Sequence, residues 1–197
     1  MKKINYVIFS SIPSPLPSSL QVIKTCENLA KNNYDVTLIK PGTGYKKTSI
    51  KKYYGLENDV KVKEFSSIDS FPQGFRFYLY SFYCLIFILK NKDSISITRN
   101  YFISYLLLLF RKKVILEVHH DTNIEGNITK FILKNLNFFN NVNLVNIIAI
   151  SKAVKKLFIK KYKVNSKKIT VLPSGSSIRI VHKPKLFFNK RLKIGYF

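Results

Sequence analysis

Between Glu117 and Asp121 the chain reads Glu-Val-His-His-Asp, its densest run of side chains able to move a proton, hold a cation or grip a polar ligand. In an extended strand successive side chains alternate, so Glu117, His119 and Asp121 are expected on one face and His120 on the other. Three chemistries suit the run. His119 can act in a cleft as a positioned polar group or acid–base. The His and Asp side chains can ligate a metal, although adjacent histidines on a strand point apart. Or the imidazole can be a structural, hydrogen-bonded one.

Other residue groups offer binding chemistry. Arg99, in Thr98-Arg99-Asn100, presents a planar fork able to hold a phosphate or carboxylate bidentately, or to sit in a surface salt bridge. The Pro/Ser segment from Ser10 to Ser19 supplies hydroxyls, Ser18 and Ser19 among them, ahead of a helix whose N-terminal N–H groups and dipole suit an anion. The same segment reads equally as a rigid surface loop in which Ser19 caps the helix. Gln21 falls on the first turn. Ser151 stands where a later helix should begin, and the glycine of Pro173-Ser174-Gly175 permits a left-handed backbone conformation there. The chain has no G-x-G-x-x-G, G-K-[ST], C-x-x-C or G-x-S-x-G, so kinase, dinucleotide-dependent and α/β-hydrolase readings lack their markers.

The elements that must position these groups alternate in type. Apolar runs of strand length occur at Ile4 to Phe9, Asp35 to Lys40, Val60 to Phe65, Ser94 to Thr98, Lys113 to Val118, Leu144 to Ile150 and Lys168 to Leu172. Helical periodicity fills Leu20 to Lys31 and Ala153 to Tyr162. The alternation predicts an α/β, Rossmann-like parallel sheet with crossover helices, and ligands then belong beyond the carboxyl ends of the strands.

At 197 residues, with 46% hydrophobic and 14% aromatic residues, the chain can bury a sizeable core. Cys26 and Cys84 fit no metal or redox spacing and read as buried thiols in a reducing cytoplasm. The N-terminal apolar run is too short for a secretory signal, and Phe75 to Leu89, which carries Arg76, is too short to span a bilayer. The net charge of +24 has three readings: the Lys-, Ile- and Asn-rich usage of AT-rich coding, an anionic membrane or lipid-phosphate partner, or nucleic acid. Nucleic acid is not expected, because most of the 16 Phe and 12 Tyr sit inside apolar runs rather than among the basic residues.

The order Thr98-Arg-Asn, Glu117-Val-His, then Ile150-Ser, a helix and Pro173-Ser-Gly resembles the N-terminal, acceptor-side domain of family 4 glycosyltransferases of the GT-B fold. The resemblance implies a glycosyltransferase domain over residues 1–175, a linker at 176–189, and the first strand of a donor-binding domain at 190–197. It implies a retaining transfer from a nucleotide sugar to a cell-envelope polysaccharide or glycolipid acceptor, with no cofactor and no metal. The matching His119 would reach the transferred sugar as the catalytic residue. Ser18, Ser19, Gln21, Arg99, Glu117, Asp121, Ser151, Ser174 and Gly175 would line the cleft. Since the family's second domain carries the groups that hold the donor diphosphate, the 197-residue chain alone is expected to be nearly inactive. The expected partners are the donor, a lipid-linked or saccharide acceptor and an anionic membrane surface. The expected location is the cytoplasm, at the inner face of the cytoplasmic membrane. The alternatives are a non-catalytic split partner or remnant of such an enzyme, and a basic peripheral-membrane protein without sugar chemistry.

Overall fold

The computed structural model describes residues 2–42, 49–65, 71–91 and 93–173. Ser174, Gly175, the expected linker and the expected strand at 190–197 lie outside them. The apolar runs form seven strands: β1 (Lys3–Val7), β2 (Asp35–Pro41), β3 (Lys61–Phe65), β4 (Ser94–Thr98), β5 (Lys113–Val118), β6 (Leu144–Ala149) and β7 (Ile169–Val171). All neighbours pair in parallel, in the order β3-β2-β1-β4-β5-β6-β7. The helices are α1 (Pro17–Lys31), α2 (Ile50–Tyr54), α3 (Gln73–Lys90), α4 (Tyr101–Leu109), α5 (Asn127–Asn135) and α6 (Lys152–Tyr162). From β1 the chain winds outward through β2 to β3. Then α3 returns it to β4, on the other side of β1, so the β1/β4 junction is the switch point where such sheets open a crevice.

Alternation along the strands divides the core between the two faces of the sheet. Ile4, Tyr6 and Ile8 pack with Ile97, Val22, Ile23 and Cys26 beneath α1. Val7, Leu116 and Val118 face the larger cluster that includes Tyr80, Ile103, Phe138 and Phe158 from the helices of the other layer. The Tyr80 hydroxyl, fully buried, reaches the carbonyls of Ile8 (2.6 Å) and Ile39 (2.9 Å) and ties α3 to the carboxyl ends of β1 and β2. Burial pushes the Cys26 and Cys84 thiols up to about 12, so both behave as small packing groups.

The start of α1 departs from the expectation. The helix begins at Pro17 rather than Leu20, and its N-cap is Leu16, with no side-chain cap. Proline at the first helical position has the required φ and lacks only an N–H that would be unpaired there anyway. Ser19 is therefore inside the first turn rather than its cap. Among the described residues no helix is long and apolar enough to cross a membrane.

Candidate functional site

Strand register brings the functional side chains together. Thr98 of β4 pairs with Leu116 of β5, so Arg99 and Glu117 follow side by side on the α1 face at the carboxyl ends of their strands. Tyr6 pairs with Ile97 in the same layer, one step below, and its ring is long enough to cross β4 toward Glu117. The Glu117 carboxylate, 7% exposed, becomes a hub. Its Oε1 accepts from Arg99 Nη2 at 2.8 Å, lies 2.7 Å from His119 Nε2 and 3.5 Å from Gln21 Nε2, and its Oε2 accepts the Tyr6 hydroxyl hydrogen.

Burial alone would raise the Glu117 pKa. The His119 hydrogen bond, the Arg99 charge and the Tyr6 hydrogen bond outweigh it and hold the carboxyl down to about 2. An ionised carboxylate can only accept, so near neutral pH Nε2 of His119 carries the hydrogen of their contact. Nδ1 has no hydrogen-bond partner among the described residues and is the nitrogen left for a ligand. Burial, followed by the Glu117 charge, pushes the Tyr6 phenol well up and keeps it a hydrogen-bond donor. Arg99 stays protonated: burial opposes the charge, but Tyr6 and Glu117 raise its pKa overall. Its Nε is sealed from solvent and has no hydrogen-bond partner among the described residues.

Ser18, Arg99, Tyr101, Glu117, Val118, His119 and His120 line a cavity of about 270 Å³ at this point. The positive charge, the imidazole edge and the carboxylate that neutralises them all border it. Such an arrangement can orient a polyhydroxylated or anionic ligand without reorganising on binding.

Four of the anticipated residues, Gln21, Arg99, Glu117 and His119, are joined in one hydrogen-bonded cluster, and Ser18 lies on the same cavity. Ser19 is buried, and its hydroxyl bonds Ser14 Oγ (3.0 Å) and the Ser11 carbonyl (3.3 Å), bracing the proline loop. Asp121 does not share the face of Glu117 and His119. The strand ends at Val118 and a single 3-10 turn follows at Thr122–Ile124, so alternation no longer applies; Asp121 pairs with Lys161 at 2.6 Å. Ser151 caps α6, its hydroxyl accepting from the Val154 N–H at 3.2 Å. Tyr6 and Tyr101 were missed by sequence reasoning. A tyrosine in the otherwise apolar β1 run was the available signal for Tyr6, because a buried phenol needs a partner. Among the described residues no three His, Cys, Asp or Glu side chains cluster as a metal site requires.

With this geometry in place, the likeness to known proteins is informative. The sequence profile of Glycosyltransferase Family 4 matches residues 19–178. A glycosyltransferase from Rickettsia africae superposes with a TM-score of 0.56 at 18% identity, over 87% of this chain and 42% of its own. Anabaena HepE, solved with UDP and glucose, gives 0.58 at 15% identity, over 89% and 45%. The lipopolysaccharide outer core galactosyltransferase WaaB gives 0.56 at 15% identity, over 91% and 47%. The chain thus spans less than half the length of these structures, and its fold is the N-terminal half of GT-B. No curated protein matches the chain by sequence.

Proposed function

Because this chain belongs to glycosyltransferase family 4, we propose that it supplies the acceptor-side half of a retaining, metal-independent transferase that moves a sugar from a nucleotide-sugar donor to a cell-envelope polysaccharide or glycolipid. The observation that carries this reading is the placement of Arg99 and His119 on one Glu117 oxygen, at 2.8 and 2.7 Å, facing the cavity at the β1/β4 switch point. A sugar presents hydroxyls in fixed directions, and groups locked by a buried carboxylate meet them with little loss of side-chain entropy. His119 would bind and orient the transferred sugar through its free nitrogen, while Arg99 supplies fixed positive charge. The departing nucleoside diphosphate needs its own preorganised positive site, which the family resemblance assigns to a second domain. The polypeptide would work at the inner face of the cytoplasmic membrane, where lipid-linked acceptors are found.

The test is sugar transfer from a panel of nucleotide sugars, measured for the 197-residue chain and for the chain joined to a family 4 donor-binding domain. Transfer by the joined protein that is lost in Arg99→Ala and His119→Ala supports the reading. Transfer unaffected by both variants overturns it.

A further inference from the structure

A second concavity lies outside the cleft. It is a groove of about 470 Å³ between α5 and α6, and nothing so far uses it. Lys130 and Lys134 stand on its α5 side and Lys161 and Lys163 on its α6 side, while no Asp or Glu among the described residues lines it. Lys161 is committed to Asp121 and Asn123, each at 2.6 Å. Lys130, Lys134 and Lys163 have no ion-pair partner among the described residues. Such an excess of cations around one concavity favours an anionic occupant.

The floor narrows the choice. Leu133, Phe138, Phe139 and Tyr162 form it, and its rings are spent on one another: Phe138 and Phe139 meet edge to face at 5.0 Å, and Phe139 and Tyr162 at 4.8 Å. Leu133, Phe138 and Phe139 are buried, so the floor is closed apolar packing without a free stacking face, and the apolar surface a ligand can reach lies at the rim. On the outer side of α5, Phe131 and Ile128 are 59% and 50% exposed, one helical turn apart. Cations around a groove with an apolar lip suit a phosphate attached to a flexible hydrocarbon chain.

The groove also adjoins the cleft. Tyr101 lines the cleft, and its ring packs on Phe138 of the groove at 6.3 Å. His120 of the cleft and Thr122 of the groove are two residues apart, which limits their separation to about 7 Å. The two concavities thus border the same stretch of chain, at His120 and Thr122.

We propose that the groove binds the phosphate-bearing end of a lipid-linked acceptor whose saccharide end enters the cleft; the role of the cleft rests on the glycosyltransferase reading above. The acceptor class is then an anionic prenyl- or acyl-linked saccharide rather than a free sugar.

The experiment measures binding to the 197-residue chain of a dispersed short-chain prenyl phosphate, the matching prenyl alcohol, and the same lipid phosphate carrying a saccharide. Lys130→Glu/Lys134→Glu should weaken both phosphate lipids by about tenfold or more, as loss of charge-assisted contacts does. Lys130→Ala/Lys134→Ala should act in the same direction, and the charge-matched Lys52→Glu/Lys90→Glu should change little. Equal losses in the two Glu pairs, or none in either, overturn the groove assignment. So does equal binding of the alcohol, or displacement by equimolar inorganic phosphate or nucleoside diphosphate. Binding only to anionic vesicles, insensitive to the groove variants, assigns the charge to a membrane surface and also overturns it. The saccharide should add affinity that Arg99→Ala and His119→Ala abolish while leaving the sugarless lipid bound as before. If it adds none, the cleft reading fails and the groove's phosphate site stands.

Discussion

Tyr6 and Glu117 are joined across the intervening strand: the phenol of a fully buried residue in β1 donates to a carboxylate at the end of β5, 111 residues later. This contact fixes what the Glu117 carboxylate can offer to its other partners. One oxygen takes the phenol, and the other is left to Arg99 and His119.

Tyr6→Phe keeps the packing and removes one donor to an ionised group. The expected loss of stability is about 1–3 kcal/mol by chemical denaturation. The carboxyl of Glu117 should then titrate higher than about 2 in NMR, since one of the groups holding it down is gone. Wild-type stability in Tyr6→Phe would mean that the hydroxyl does not anchor the cluster.

The depressed pKa of Glu117 also predicts the acid response. The group binds protons less readily folded than unfolded, so its contribution is complete above its ordinary value of 4.5 and is lost as the pH falls toward about 2. The amount is on the order of a few kcal/mol, and it belongs to the cluster rather than to one pair. Glu117→Gln should flatten the fall in denaturation midpoint between about pH 5 and 2 without abolishing it, because Glu27, Asp35 and Asp121 are also lowered. An unchanged pH profile would sink the assignment.

This hub shows where sequence reasoning stops. Every strand was legible, and β4 and β5, which are buried on both faces and so read as apolar runs bounded by polar breaks, were legible to the residue. The pairing of Arg99 with Glu117 followed once strand order was known, but strand order is not written locally. Tyr6 meets Glu117 only because β4 lies between β1 and β5 and the register sets them one step apart. The α5 helix was not read at all: it has nine residues, and its N-cap, Gly126, has no side chain to cap with. Asp121 was misplaced because alternation was extended past the last residue of the strand.

His119→Ala, in a protein that also carries a donor-binding domain, should lower kcat about a hundredfold or more with little loss of fold. His120→Ala should do much less, since its Nδ1 is 2.9 Å from the neighbouring Asp121 carbonyl and it takes no part in the Glu117 cluster. Equal losses would remove the distinction between the two.

Helix capping gives a test of the frame that holds the site. Asn100 accepts from the Ile103 N–H at 3.1 Å at the start of α4, directly after Arg99, and Ser151 does the same for α6. Asn100→Ala and Ser151→Ala should each cost about 1 kcal/mol in thermal or chemical unfolding. Asn100→Ala should also weaken ligand binding at the cleft through the backbone of Arg99, and Ser151→Ala should not. The reverse pattern would place the sensitive element in the wrong strand.

Helix α3 contains the apolar segment from Phe75 to Leu89, too short to span a bilayer but able to meet a membrane surface. Phe75, Phe82 and Ile86 are each about half exposed, and their spacing of seven and four residues puts them along one stripe of the helix. Lys90 lies on the same helix, and Lys63 reaches over the rings of Phe65 and Phe87. A stripe of this kind can rest in the headgroup plane without spanning it, while each nearby cation adds about 1 kcal/mol at an anionic surface. Co-sedimentation should show reversible binding to anionic vesicles that weakens steeply with salt, and Phe82→Ser/Ile86→Ser should reduce it several-fold at fixed charge. That double variant should leave the dispersed prenyl phosphate bound in the α5–α6 groove, because the two surfaces are on different helices. Equal binding to neutral and anionic vesicles, or none at low salt, would return the charge of +24 to coding composition alone.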